Sequence, residues 1–447
     1  MGSQTEKQRV APPQPPEGIT RIAVSGFKSI LQERSVEIAG LTILAGANGS
    51  GKSSIMQPLL LLKQTLEATY DPGPLLLNGP NVRFSSADEL LAYDGKGDRK
   101  EAFSVGVCVD TPIRVTCCFR RRRTGLDLDR MGFSLDAKKG KLQEGMSSNE
   151  ICEQLRATAP AISKTLDEIR ERPDKYGELL VTRTRCFFAA ETRQGLPFHF
   201  RFAPSEKLER QLRRLIHVPG LRGNPERTYP VSAVGESFPG TFENYVASVI
   251  AQWQSDRQKD KQEALEADLS RLGLTWKVSA YRINDTQVEL HVGRLTRAAM
   301  GRTSDVVNVA DAGFGVSQSL PVLVALQASQ PGQLVYLEQP EIHLHPRAQF
   351  ALAETLANAA RRGVRVVAET HSNLLLLGVQ ALVAEGKMSP EMVKLHWFQR
   401  GNDGVTKITS ADLDGAGAFG DWPEDFGDVA LTSESRYLDA AELRLKK

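Results

Sequence analysis

Residues Gly46-Ala47-Asn48-Gly49-Ser50-Gly51-Lys52-Ser53 satisfy the pattern glycine, four residues, glycine, lysine, serine. Glycines at these spacings let the backbone curl until several N–H groups point inward at a polyphosphate, and a helix starting there adds its positive N-terminal end. Lys52 would bridge the β- and γ-phosphates and the Ser53 hydroxyl would coordinate Mg2+, with Asn48, Gly49, Ser50 and Ser54 lining the rest of the loop. A second block, Leu334-Val335-Tyr336-Leu337-Glu338-Gln339-Pro340-Glu341, is an apolar run ending in acids. A buried strand aimed at such a loop can carry a carboxylate at its C-terminal end to hold Mg2+, and Glu338 is the candidate. A third apolar run, Val364 to Val367, ends in Ala368-Glu369-Thr370-His371-Ser372. The fourth candidate is Asp311-Ala312-Gly313-Phe314-Gly315-Val316-Ser317-Gln318, which opens an apolar helix from Leu320 to Gln327 and offers a second anion-binding surface.

These residues need strands and helices to hold them. Ile19 to Val24 alternates with period two and Leu41 to Ala45 is a short apolar run, so both read as strands. The second leads through the glycine loop into a leucine-rich helical segment reaching Thr69, in which Pro58 predicts a kink or a delayed start. Residues 82 to 135 alternate as antiparallel strands. Charged helical stretches follow at Glu150 to Thr165, Ser205 to Leu215 and Phe242 to Leu272, around a loop rich in Pro, Gly and Arg. Strands resume at Trp276 to Ala280 and Gln287 to Val292, and helices alternate with strands to about Thr406. The pattern predicts an α/β fold without internal repeats.

Composition restricts the alternatives. In 447 residues, 41% are hydrophobic and 25% charged, which excludes wholesale disorder, collagen and a disulfide scaffold. The formal charge of +2 gives no global reason to expect a nucleic-acid or membrane partner. Cys108, Cys117, Cys118, Cys152 and Cys186 form no C-x-x-C pair and read as reduced thiols of a cytoplasmic protein. The proline-rich stretch Ala11 to Pro16 reads as a flexible leader, and no apolar run approaches the roughly 20 residues of a membrane span. Arg120-Arg121-Arg122-Arg123 is expected to be a solvated hairpin. Lys207, Arg210, Arg213 and Arg214 read as a solvated helix face, and His343 with His345 as structural rather than metal-binding residues.

Together with Ser25-Gly26-Phe27-Lys28-Ser29-Ile30 and the block Glu338-Gln339-Pro340-Glu341-Ile342-His343-Leu344-His345-Pro346, these motifs resemble the ABC-type ATPase heads of the SMC, RecF and OLD-like group, and in particular the AAA ATPases of bacterial phage-defence operons. The resemblance implies an α/β head with a mixed sheet, flanking helices and an antiparallel β lobe. It divides the chain into a leader at 1–17, an N-lobe at 18–144, a helical insertion at 145–275, a C-lobe at 276–410 and a tail at 411–447. Nearly three hundred residues separate Lys52 from Glu338, which motivates the insertion, expected as a compact helical lid or docking module. ATP and Mg2+ are the implied cofactors.

The implied partner is a second copy, in a homodimer or higher homo-oligomer whose Gly315, Ser317 and Gln318 cap the ATP held by the first. By position, Glu338 matches the Mg2+ acid and His371 the switch histidine that contacts the γ-phosphate. Gln339 stands where relatives place the carboxylate that polarises water. Since an amide cannot take a proton, hydrolysis should be slow unless Glu341 acts as base. The expected role is a sensor or scaffold controlling a separately encoded effector in antiviral defence. The alternatives are a RecF-like DNA-repair clamp, with nucleic acid as partner, and a non-hydrolysing ATP-bound scaffold.

Overall fold

The computed structural model describes residues 17–93, 97–110, 113–123, 125–192, 199–296, 305–420, 435–439 and 444. The leader stretch Ala11 to Pro16 and the acidic tail around Asp421 to Asp425 lie outside the described residues. The architecture is mixed α/β. A central six-stranded sheet runs in the order Ile216–Val218, Leu334–Glu338, Arg365–Thr370, Leu41–Gly46, Val393–Arg400 and Thr406–Ala411, the first five parallel and the last antiparallel. Its three central strands Leu334–Glu338, Arg365–Thr370 and Leu41–Gly46 are buried on both faces and mainly apolar, as parallel strands between helices must be.

Alternation along the strands divides two cores. Ile43, Val335, Leu337, Val366 and Trp397 point into one, with the helices Val246–Ser255, Phe314–Ala328, Pro346–Arg361 and Asn373–Ala384. Leu44, Tyr336, Val367 and Phe398 point into the other, where the helix Lys52–Glu67 packs with a six-stranded antiparallel lobe. That lobe orders its strands Arg34–Glu37, Ile19–Ser25, Ala102–Val109, Ile113–Arg122, Gly125–Leu135 and Lys138–Leu142. The helix Lys52–Glu67 runs as one element through Pro58, without the delayed start, because Ile55 and Met56 before the proline and Leu59, Leu60, Leu61 and Leu62 after it are all buried. Each such side chain is worth about 1.5–3 kcal/mol on burial, enough to offset the hydrogen bond lost at a proline.

The segment 145–275 differs from the expected helical insertion. It contains helices at Ser148–Thr158, Ser163–Glu171 and Glu206–Arg214, but also a sheet of Leu179–Thr184, Phe187–Thr192 and Arg201–Phe202. Its strand Ile216–Val218 forms the edge of the central sheet, so that sheet takes strands from all three expected divisions and none of them closes on its own. The stretch Phe242 to Leu272 is likewise broken. A single turn at Phe242–Tyr245 precedes helices Val246–Ser255 and Lys259–Arg271, and Arg257 between them takes a left-handed φ of 54°.

The arginine run is neutralised from within. Arg120 pairs with Asp129 and Glu101, Arg121 with Asp88, and Arg122 with Asp127 and Asp129. His345 caps the helix Pro346–Arg361 by accepting the Arg347 N–H. All five cysteines are free thiols, four of them buried. Among the described residues no helix is long and apolar enough to cross a membrane.

Candidate functional site

The strand Leu41–Gly46 delivers its chain directly into the glycine loop, and the helix begins at Lys52. Gly46, Gly49 and Gly51 hold φ values of 146°, 71° and 102°, a region that side-chain-bearing residues rarely adopt. Two of them are also tightly enclosed: a Cβ on Gly46 would collide with the Phe398 carbonyl, and one on Gly51 with the Thr406 hydroxyl. The loop bounds a cleft of about 770 Å3 lined by Asn48 to Ser54, Lys28, Gln57, Gln339, Glu369, His371 and Arg400. Lys52 is buried, and its Nζ donates to the carbonyls of Gly46 (2.9 Å) and Ala47 (2.8 Å). Burial lowers its pKa, against the opposing charges of Glu369 and Glu341.

The carboxylate beside Ser53 is Glu369. Ser53 Oγ donates to Glu369 Oε1 at 2.9 Å, and the Tyr336 hydroxyl donates to Oε2 at 2.8 Å. Glu369 is in register with Leu44 on the strand next to the phosphate-loop strand, on the face that carries the helix Lys52–Glu67. Burial raises its pKa, with the neighbouring Glu338 adding to the rise and the Tyr336, Ser53 and Lys52 contacts opposing it.

Glu338, the residue expected at Ser53, is placed one strand further away and outside the cleft lining. His217 Nε2 lies 3.1 Å from its Oε1, and the Gly220 N–H donates to its Oε2 at 3.1 Å. The amide nitrogen of Asn81 faces His217 Nδ1 at 3.1 Å, so Nδ1 accepts and Nε2 is the donor to Glu338. Burial alone would raise the Glu338 pKa. The His217 and Gly220 hydrogen bonds and the Arg222 charge outweigh burial and hold it below the usual carboxylate value. The edge strand Ile216–Val218 supplies that partner: its His217 shares the face of Tyr336 and Glu338 and stacks on Tyr336 at 5.4 Å.

Gln339 and His371 both line the cleft. Gln339 sits at a left-handed φ of 44°, its N–H donating to the Glu369 carbonyl and its own carbonyl accepting from Arg222. Burial and the Lys52 charge lower the His371 pKa, only partly offset by the Gly46 carbonyl, so its ring is neutral at pH 7.

Glu341 lies off the cleft. It is buried, its Oε1 accepts the Thr370 hydroxyl (2.6 Å) and the His371 N–H (3.0 Å), and its Oε2 has no hydrogen-bond partner among the described residues. This is the geometry of a residue that positions the switch turn, and it bears directly on the expectation that Glu341 takes the proton. A glutamine at 341 retains an oxygen for both donors, so Glu341→Gln is expected to keep phosphate release within about fivefold of wild type. Glu341→Ala removes both bonds and is expected to lower it about 30-fold, at about 1 kcal/mol per bond. Abolished release in a folded Glu341→Gln would instead make Glu341 the base.

The helix Phe314–Ala328 carries the fourth motif. Gly315 and Ser317 are half-buried near its start, with the Ser317 hydroxyl donating to the Phe314 carbonyl. Gln318 is not free to cap a second copy's nucleotide. It is buried, its amide donates to the Gly223 carbonyl, and its carbonyl accepts Arg222 Nη1 at 3.1 Å. Arg222 Nη2 reaches the carbonyls of Glu338 (2.9 Å) and Gln339 (3.2 Å), so one guanidinium bridges the acidic strand end and this helix.

Residues 41–116 and 289–377 match the model of the family described as "AAA domain, putative AbiEii toxin, Type IV TA system". The first match contains the phosphate loop and the second the Phe314 helix, the acidic strand end and the switch. Over those two stretches the chain is similar to that AAA-domain family. Among solved structures, the chain is similar to the SmcHead bound to the C-winged helix domain of ScpA, at 14% identity, covering 89% of this chain and 99% of that one with a TM-score of 0.48. It is also similar to the SMC head domain from Thermotoga maritima, at 11% identity, 88% and 98% coverage and a TM-score of 0.41. A third similar structure is the Smc head domain with an extended coiled coil bound to the C-terminal domain of ScpA derived from Pyrococcus furiosus, at 13% identity, 89% and 96% coverage and a TM-score of 0.46. No curated protein matches the sequence.

Glu369 stands in the motif Ala368 to Ser372 and Arg222 in the loop rich in Pro, Gly and Arg, and neither segment's pattern gave its residue a role. The signal for Glu369 was a charged residue inside an otherwise apolar strand buried on both faces, a placement that carboxylates avoid unless they are paired or face a cation. Gln57 and Arg400 left no signal of their own, because the fold brings them to the cleft from separate segments.

Proposed function

We propose that this chain is a slow Mg2+-dependent ATPase whose head pairs with a second copy when ATP is bound. The carrying observation is the cleft itself. A strained glycine loop, the Lys52 ammonium and the Ser53 hydroxyl converge with Gln339 and His371 from two neighbouring strand ends. Hard oxygen donors at Ser53 and on the adjoining carboxylate fit Mg2+, which when bound would neutralise phosphate charge. Lys52 and the loop N–H groups hold the phosphates, His371 donates toward them as a neutral imidazole, and Gln339 orients water without taking its proton. Slow turnover follows from that amide and would make the ATP-bound assembly long-lived.

Gly315 and Ser317, at the start of the Phe314–Ala328 helix, are the residues offered to a second copy's nucleotide. Control of a separately encoded effector in antiviral defence is supported by the family description, which names an AbiEii toxin. The DNA-clamp reading loses its densest basic cluster, since Arg120, Arg121 and Arg122 are spent on acids of their own lobe and its neighbouring segment. Light scattering and phosphate release on the full chain test the proposal together. Mg2+ and ATP are expected to enlarge the particle and to sustain slow release, and a wild type that does neither refutes it.

A further inference from the structure

We infer that Glu369, not the acid at the end of the neighbouring strand, is the carboxylate that faces the divalent cation, with Tyr336 as its positioning residue. This deepens the nucleotide-site reading above and rests on it. Three features of the structure carry the assignment. The Ser53 hydroxyl gives its proton to Glu369 Oε1 at 2.9 Å, which leaves the serine oxygen's lone pairs free to face a cation. The Tyr336 hydroxyl grips Oε2 at 2.8 Å from beneath, fixing the carboxylate plane beside the loop. Glu369 lines the cleft and Glu338 does not.

Glu338 is also committed elsewhere, with one oxygen on His217 and the other on the Gly220 N–H. The two acids are register partners on adjacent parallel strands and project from the same face, so the cation could in principle be served from either. The difference is one strand spacing, and the strand bearing Glu369 is the one hydrogen-bonded to the phosphate-loop strand. A carboxylate buried at 6% exposure beside a second carboxylate is costly without a counter-charge, and the Lys52 ammonium directs its hydrogen bonds to the loop carbonyls of Gly46 and Ala47. A dication seated between Ser53 and Glu369 would supply that counter-charge.

The test measures binding, not turnover. A non-hydrolysable ATP analogue is titrated into the full chain in EDTA and across a Mg2+ series, with Mn2+ electron paramagnetic resonance as a second readout. Glu369→Gln is expected to raise the half-saturating Mg2+ concentration about 10- to 100-fold, and Glu338→Gln to shift it little. Tyr336→Phe removes only the hydroxyl on Oε2 and is expected to raise the Mg2+ requirement severalfold. It keeps the test decisive should Glu369→Gln fold poorly. A large shift in Glu338→Gln with none in Glu369→Gln overturns the assignment, as does an unchanged Mg2+ requirement in Tyr336→Phe. A wild type that binds no analogue under any condition overturns the nucleotide-site reading itself, and the assignment falls with it.

Discussion

Lys52→Ala is expected to abolish ATP-dependent assembly and to weaken nucleotide binding by about 30-fold or more. The Lys52 ammonium is buried at the floor of the cleft, within hydrogen-bond reach of two loop carbonyls, and it faces the negative charges of Glu369 and Glu341. A triphosphate arriving there gains a charge-assisted contact in a partly desolvated place, and truncating one member of such a pair typically costs about 2–5 kcal/mol. Because a factor of ten corresponds to about 1.4 kcal/mol, that loss spans about 30-fold to several thousand-fold in affinity. Alanine is the best helix former, so it suits the first residue of the helix and the fold should be retained. Titration of a fluorescent ATP analogue, with circular dichroism as the control for folding, gives the answer. A folded variant that binds within threefold of wild type would show that the nucleotide sits somewhere other than the Gly46–Ser53 loop.

The largest effect on stability is expected at Arg222. Its guanidinium is buried and donates to the carbonyls of Gln318, Glu338 and Gln339, which belong to two different elements. Burial lowers its pKa to about 10, so it remains a cation at neutral pH, attracted by Glu243, Glu341 and Glu338. Arg222→Ala leaves three carbonyls without this donor and those carboxylates without its charge. Removing one member of a buried charged network costs about 3–5 kcal/mol. Arg222→Lys is expected to recover little, since an ammonium presents a point charge where the planar fork spans two elements. Thermal unfolding of both variants beside wild type measures the effect. A melting temperature unchanged in Arg222→Ala would mean that the strut carries no stability and that the strand end and the Phe314 helix are held by packing alone.

The parts of this molecule legible in its sequence are those whose chemistry is local. The glycine loop, the strand before it and the helix after it are consecutive in the chain, so spacing alone defines them. What was hidden depends on neighbours that only the fold supplies. Ile216–Val218 is three residues long, between a charged helix and a Pro-Gly loop, too short for any periodicity, yet it brings the histidine that pairs with Glu338. The stretch Phe242 to Leu272 keeps helical spacing across a break, because the left-handed turn at Arg257 carries no glycine or proline to announce it. Glu369 acquires its meaning from its register with Leu44, and register between distant parallel strands leaves no mark on either segment.

That register also governs how the chain is made. The phosphate-loop strand Leu41–Gly46 lies between Arg365–Thr370 and Val393–Arg400, both synthesised more than three hundred residues later. Until they leave the ribosome, a strand that the finished fold buries throughout waits with both edges unpaired, while the antiparallel lobe formed by residues 19 to 142 is already complete. Closure of the central sheet is therefore a late, high-contact-order event, and the long interval before it is when a nascent chain of this design most needs a chaperone.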